Sequence, residues 1–383
     1  MVRGNRRHIC LIFFGDFRFD GRGYNIANSL LRAGHRVTLI ATTADPGPIF
    51  PGTDCEIKRI AIRSWKSSKL RFLEFYIRSI TSALRVRADL YQAEDLFSLP
   101  VAWLASRFHR GRLSYDCREL YFALGSLMGR RWTQAFWRFV EKIWIVRADL
   151  VMVTAQNQQE VLSRRYRIDP PIVVRNHPPL ALRPERTDRL REMFSIPVER
   201  RILLYQGMLH PGRGIFLPLE IVRRLSGCVI VYLAHGEWKE RLAARIRDLG
   251  LEDRAFLFGP VPYDQLLRYT AGAEVGLALQ EPFGENHLRA RPNKVFEYIM
   301  AGIPVVASDF PPLRKAIVDH GVGLVADVED LDDIVRKVER LVTDRRLYEE
   351  MVENCRRASQ EFNWEIEEAI YLPAVSRLLA RVT

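Results

Sequence analysis

Residues 292–309, PNKVFEYIMAGIPVVASD, constrain the fold of this 383-residue chain more than any other stretch. They read as loop, helix, turn and buried strand. Pro292 suits the first turn of a helix, where a missing N–H costs nothing. Phe296, Ile299 and Met300 recur at helical spacing, Gly302 stops the helix, and Pro304 lies just beyond. Val305, Val306 and Ala307 form a short apolar run of the kind that fills a parallel sheet. Lys294 and Glu297, three residues apart, share a face of the first helical turn, where backbone N–H groups point outward. A cation, a carboxylate and a helix N-terminus together suit a phosphate plus a sugar hydroxyl. A capped surface helix carrying an ion pair is the alternative reading of the same residues.

Both halves of the chain alternate short apolar runs with amphipathic helical patterns, the signature of parallel α/β layers. In the first half, strands are expected near 8–14, 36–41, 89–92, 113–116 and 150–154. Helices are expected near 23–33 (ending at Gly34), 70–86, 97–109, 132–147 and 156–166. Residues 176–200 are rich in proline and charge and read as a linker. The second half restarts at 201–207, with further strands near 229–233, 255–258, 274–279, 304–307 and 323–326 and a terminal helical pattern from Asn363 to Arg381. The length suits two domains. They are placed at 1–180 and 181–362, with 363–383 as a closing helix.

Five scattered cysteines show no paired spacing, so neither a disulfide framework nor a zinc site is indicated, and a reducing compartment fits. His210, His235, His287 and His320 likewise form no metal-ligand spacing, and no metal site is expected. Residues 9–14, ICLIFF, are too short for a membrane span and read as a buried first strand of a cytoplasmic protein.

The net charge of +12 is unevenly spread. Residues 1–175 carry 29 Lys and Arg against 15 Asp and Glu, a net of +14, and the remainder is −2. Such asymmetry suggests an anionic surface as partner, nucleic acid or acidic lipid. Residues 63–87 hold seven basic residues and one acid, with Trp65, Phe72, Phe75, Tyr76 and Ile80 able to share an apolar side. Residues 130–147 place Trp132, Trp137 and Trp144 among Arg130, Arg131, Arg138, Lys142 and Arg147. Basic helices with aromatics lie in membrane interfaces; a core-facing stripe with a solvated basic back is the other reading. No nucleic-acid module is present, so no specific nucleic acid is expected.

Two further stretches carry chemistry. QGMLHPGRGI, 206–215, follows a strand and precedes a helix. Gly207, Gly212 and Gly214 allow backbone N–H groups to approach a ligand, and Arg213 can fork onto a phosphate. YDCRELYF, 115–122, ends a strand and opens a loop, with Asp116 and Glu119 available either to a ligand or to ion pairs.

The segment from Pro292 to Val306 resembles the nucleotide-binding signature of the retaining glycosyltransferases of family 4, which have the GT-B fold of two Rossmann-like domains facing a cleft. The resemblance covers nearly the whole chain, strongly over 200–310 and loosely before 180. It implies transfer of a sugar from a nucleotide-sugar donor, UDP- or GDP-linked, to a glycan or lipid-linked acceptor, with retention at the anomeric carbon, no required metal and no other cofactor. Glu297 would be the second carboxylate of the family's Glu, seven residues, Glu motif and would bind the donor ribose. The position of the first carboxylate is Arg289; Glu281 and Glu285 lie nearby. Arg213 and Lys294 would hold the pyrophosphate, with Gly207, Gly214, Pro292 and Asn293 around it. The 115–122 stretch resembles an Asp-x-His-Glu box in which the His has become Arg118, a guanidinium suited to an acidic sugar or phosphate. Residues 89–100 resemble a segment that usually carries histidines, here Gln92 and Glu94, with Asp95 capping the next helix. Residues 13–37 resemble the opening strand–loop–helix, so Gly15, Asp16, Asp20 and Arg22, together with Glu119, would face the acceptor. The terminal helix would cross back to the first domain. A nucleotide-sugar 2-epimerase on the same scaffold, or a basic binding protein without activity, are the alternatives.

Overall fold

The computed structural model describes residues 6–42, 50, 52–63, 67–121, 130–282, 288 and 291–380. The chain forms two compact units, one made of Met1–Asn176 with Trp364–Thr383 and the other of His177–Asn363. Arg289, Glu285, His287 and Trp65 lie outside the described residues.

The first unit is a parallel sheet of seven strands: β1 (His8–Phe13), β2 (Arg36–Ala41), β3 (Cys55–Arg59), β4 (Leu90–Ala93), β5 (Arg112–Cys117), β6 (Leu150–Val153) and β7 (Ile172–Val173), in the order β3-β2-β1-β4-β5-β6-β7. Its helices are α1 (Gly21–Arg32), α2 (Ser68–Ala83), α3 (Leu99–His109), α4 (Arg131–Ile145) and α5 (Gln156–Tyr166). The two-residue period of a strand divides β1 between two cores. Cys10 and Ile12 join a cluster with Phe75, Ala102 and Ile145 from α2, α3 and α4. Ile9 and Leu11 join Ile26 and Leu30 of α1 and Trp364, Tyr371 and Val375 of the terminal helix Trp364–Ala380. That division explains why β1 reads as one unbroken apolar run.

The terminal helix is tied to this unit by polar contacts as well. Trp364 Nε1 donates to Ser29 Oγ at 2.8 Å, Tyr371 Oη donates to Gln92 Oε1 at 3.1 Å, and Glu368 pairs with Arg32. α1 begins where Asp20 accepts from the Gly23 N–H and ends before Gly34, whose φ of +84° suits glycine.

The second unit has six parallel strands: β8 (Arg201–Met208), β9 (Cys228–His235), β10 (Ala255–Phe258), β11 (Val275–Ala278), β12 (Val305–Ser308) and β13 (Gly323–Ala326), ordered β10-β9-β8-β11-β12-β13. The helix expected from Pro292 runs Asn293–Ala301, with Pro292 one position earlier as its N-cap residue and Gly302 left-handed at φ +74° just past its end. Tyr298 anchors this helix. Its hydroxyl accepts from the Gln206 N–H and lies 3.1 and 3.2 Å from the Leu204 and Leu277 carbonyls. A Cβ on Gly276 would stand 2.4 Å from the Tyr298 ring, so β11 needs glycine for the tyrosine to seat.

In both sheets the strand order reverses, at β1/β4 and at β8/β11. The carboxyl ends of strands beside such a reversal are where open α/β sheets bind ligands. The short edge strands β3 and β7 and the helix Arg189–Phe194, inside the stretch read as linker, are additions to the expected elements.

Candidate functional site

In the second unit, the reversal point gathers the end of β8, the glycine loop after it and the start of the Asn293–Ala301 helix. Lys294 is 7% exposed, and its ammonium lies 3.7 Å from the centroid of the Tyr205 ring. It makes no hydrogen bond or ion pair among the described residues. Gly207, at φ +118°, sits beside it: a Cβ there would be 3.7 Å from Lys294 Cε and 3.9 Å from Nζ. Burial, with a further contribution from Arg213 and against the pull of Glu297, lowers Lys294 to about 7. An ammonium taken out of water with no counter-ion is costly, and an arriving anion restores its charge.

Glu297, one helical turn on, accepts a hydrogen bond from Gln206 Nε2, and Gln206 Oε1 in turn accepts from Thr270 Oγ1 at 2.9 Å. Burial raises Glu297 to about 7, opposed by the Gln206 hydrogen bond and by Lys294. The helix thus presents one cation and one oriented carboxylate on a single face, at a terminus with open N–H groups. Arg213 is half-buried in the glycine loop. Asn293 is exposed at the helix start, and Pro292 is buried.

Gly214 is required by the fold itself. At φ +62°, a Cβ on it would meet the Leu279 carbonyl oxygen at 1.7 Å. The protein's own backbone demands glycine there, to let the loop lie on the end of β11; Gly207 is the position open toward Lys294.

Two residues went unread in the sequence. Gln206 orients Glu297. Gln280, 1% exposed just beyond β11, has no partner for either side-chain amide atom among the described residues. A polar residue at the end of an otherwise apolar run, RILLYQ and VGLALQ, is the signal that marks both.

In the first unit, the ends of β1, β4 and β5 hold a different arrangement. Arg22 is 2% exposed, donates to both oxygens of Asp116 at 2.6 and 2.8 Å and to the Val174 carbonyl at 2.7 Å. Its three nitrogens all donate inside the core. Arg118, expected to meet an acidic sugar or phosphate, is engaged by carboxylates likewise. It donates to Asp20 at 2.7 Å, to Glu94 at 2.5 Å and to Asp116 at 3.2 Å, and it lies over the Phe13 ring. A guanidinium held by three carboxylates has little left for an acidic sugar or phosphate.

Asp95 accepts from the Phe14 and Ser98 N–H groups just ahead of α3. Asp16 is half-buried and pairs with Arg18. Gly15 packs against the Phe13 ring, and Glu119 is exposed just past β5. Among the described residues no cluster of His, Cys, Asp or Glu is placed to hold a metal ion.

The basic helices split their apolar residues between two sides. On α2, Phe75 is buried and Phe72, Tyr76 and Ile80 pack toward the core, so the expected aromatic stripe faces inward. A second set, Leu70 (43%), Leu73 (55%) and Ile77 (59%), is exposed. On α4, Trp137 and Trp144 pack on the core while Trp132, 90% exposed, Phe136 and Phe139 face outward. No helix among the described residues is long and apolar enough to cross a membrane.

Two parallel-sheet units with helices on both faces and these strand orders define the GT-B class, and solved structures of that class superpose on the chain. Sucrose-phosphate synthase from Thermosynechococcus elongatus does so with a TM-score of 0.74 at 19% identity, over 99% of this chain and 100% of that one. Anabaena HepE, solved in complex with UDP-glucose, gives 0.72 at 16% identity, over 97% and 100%.

The chain belongs to the group 1 glycosyltransferases of GT-B fold: residues 186–358 match Glycosyl transferases group 1, and residues 23–179 match the Glycosyl transferase 4-like domain. Among curated relatives, D-inositol 3-phosphate glycosyltransferase of Acidothermus cellulolyticus is 27% identical over 198 residues, 48% of this chain and 42% of that protein. Lipopolysaccharide core biosynthesis glycosyltransferase LpsE of Rhizobium meliloti is 25% identical over 165 residues, 43% and 46%. The aligned stretches span less than half the length of these two relatives.

If Arg118 is a structural hub, Arg118→Met takes the guanidinium from Asp20 and Glu94, while Asp116 keeps Arg22, and lowers unfolding free energy by about 3–5 kcal/mol, the cost of breaking a buried ion pair. Chemical denaturation should show that loss, with nucleotide-sugar affinity under native conditions changed less than twofold. A stable variant that no longer binds donor would overturn that structural role.

Proposed function

We propose that this protein transfers a sugar, with retention and without a metal, from a UDP- or GDP-linked donor to a glycan or lipid-linked acceptor in glycolipid or surface-polysaccharide synthesis. The observation that carries the reading is Lys294: a buried ammonium with no hydrogen bond or ion pair among the described residues, beside a glycine of positive φ and at the start of a helix. In the second unit, Lys294, Arg213 and the N–H groups near Asn293 hold the donor's two phosphates and stabilise charge growing on the leaving group. Glu297, oriented by Gln206, accepts the ribose hydroxyls. The leaving phosphate itself assists in removing the acceptor proton, so no protein nucleophile is invoked. The first unit binds the acceptor, with Gly15, Asp16, Asp20 and Glu119 as its contacts. The complex of HepE with UDP-glucose, and relatives named for lipopolysaccharide core and amylovoran synthesis, support the reaction class and the kind of product.

We further propose that the first unit works at the cytoplasmic face of an anionic membrane. With residues 364–383 included, it carries a net charge of +13, against −1 for the second unit. The outward sets Leu70, Leu73, Ile77 and Trp132, Phe136, Phe139 lie on two helices that adjoin through Phe72 and Trp137. Charge supplies attraction that salt screens, and the apolar side chains supply a part that salt does not.

Lys294→Ala and Glu297→Ala should each weaken donor binding at least tenfold in calorimetry, the scale of about 1.5–3 kcal/mol for a hydrogen bond to a charged group, with the fold retained. Lys294 titrates near 7 in the free protein, so at pH 8 it is mostly neutral, and a bound diphosphate raises it. Donor binding at pH 8 should therefore take up a proton, read from calorimetry in buffers of different ionisation enthalpy. The uptake should vanish in Lys294→Met. Unchanged affinity in both alanine variants would refute the site.

Turnover should persist in excess chelator; loss that magnesium restores would refute metal independence. On vesicles containing acidic lipid, the protein should co-sediment at low salt and progressively less as salt rises. Indifference to acidic vesicles at low salt would point to a soluble acceptor.

A further inference from the structure

The first unit holds a cavity of about 410 Å³ between β3 and the C-terminal half of α2, and its wall is basic. Lys58 and Arg59 come from the strand, Arg78 and Arg85 from the helix and the turn after it, and Thr81 and Ser82 add hydroxyls. Lys58 is paired with Glu56 at 2.7 Å and Arg78 with Glu74 at 2.8 Å. Arg59 and Arg85 make no ion pair among the described residues. Two guanidiniums thus remain uncompensated around one concavity, which matches the charge of about −1.5 to −2 on a phosphomonoester near neutral pH. Guanidinium forks also suit phosphate oxygens in geometry.

The cavity is not isolated. Ile77 is part of its lining, and Ile77, Leu73 and Leu70 continue from it along one exposed stripe of α2 at spacings of four and three residues. A polar pocket that runs into an exposed apolar stripe fits an amphiphile, with its phosphate among the arginines and its chain along the stripe. Among the described residues no aromatic side chain lines the cavity, so these residues offer no platform for a nucleic-acid base.

We propose that this cavity binds the phosphate headgroup of an anionic lipid, giving the first unit a defined lipid site within an otherwise diffuse basic surface. The inference rests on the membrane docking proposed above. The site fixes how α2 lies on the bilayer: its C-terminal end sits at headgroup level, and Ile77, Leu73 and Leu70 turn toward the acyl chains.

The test compares vesicle co-sedimentation of three proteins on phosphatidylcholine vesicles containing one-fifth phosphatidic acid. They are the wild type, Arg59→Ser with Arg85→Ser, and a charge-matched control, Arg107→Ser with Arg164→Ser, on exposed residues of the same unit. Circular dichroism and donor affinity check that each is folded. The expected result is at least a fivefold loss of vesicle affinity for the Arg59/Arg85 pair and less than twofold for the control. Ile77→Ser should weaken vesicle binding while leaving the weak binding of soluble glycerol phosphate unchanged.

Equal losses in the two arginine pairs would overturn the pocket and leave docking by diffuse charge intact. If glycerol phosphate binds through Arg59 and Arg85 while wild-type protein ignores the vesicles, the cavity is a site for a soluble phosphate, and the lipid assignment and the docking both fall. No binding to either probe overturns both as well.

Discussion

The second unit depends on one aromatic ring. Tyr298 enters the sheet where Gly276 leaves space, and its hydroxyl meets the backbone of Gln206, Leu204 and Leu277 at the junction of β8 and β11. A buried tyrosine hydroxyl left without partners costs roughly 1–3 kcal/mol, so its place is sharply specified. Tyr298 stands four residues after Lys294 and one after Glu297 in the same rigid helix. Fixing the ring therefore fixes the ammonium and the carboxylate against the end of β8. Glu297 meets Gln206 for this reason, and Lys294 comes to lie beside Gly207 and over Tyr205. The site is a consequence of packing one turn deeper in the core.

The first unit secures its strand ends differently. Instead of an aromatic wedge it uses two arginines against Asp20, Glu94 and Asp116. Burial raises Glu94 to about 7 despite the attraction of Arg118. With three carboxylates against two guanidiniums, one retained proton near neutrality brings the cluster to balance. A buried, fully bonded ionic cluster contributes rigidity and register more than net stability. That suits a place where three strand ends must be held in fixed register.

Much of this was legible in the chain because its signals are local. Most buried strands announced themselves as apolar runs, and Lys294 and Glu297 were placed on one face by their spacing alone. The edge strands of the first unit were missed for a physical reason. β3 reads CEIKR, with charge where a core strand would be apolar, and β7 has only two residues. The ion pairs of Arg22 and Arg118 were not legible because their partners are remote: Asp116 is 94 residues from Arg22, and Asp20 is 98 residues from Arg118. An arginine in a loop-like motif looks free until the sheet brings carboxylates to it. The packing demand at Gly214 was hidden in the same way, since the carbonyl that forbids a side chain there belongs to Leu279.

The depressed basicity of Lys294 has a consequence for occupancy in a crowded solution. A permanent cation at a helix N-terminus would attract any small anion, and inorganic phosphate would compete for the empty site. An amine near its titration midpoint offers only part of that field, and any anion that binds must bring the missing fraction of a proton with it. That toll is the same for a stray ion and for a larger ligand, so it lowers the pull on all anions alike. Occupation of the site is thereby tied to proton uptake: raising the pH loosens its hold on every anion, while the choice among them is left to the contacts around the amine.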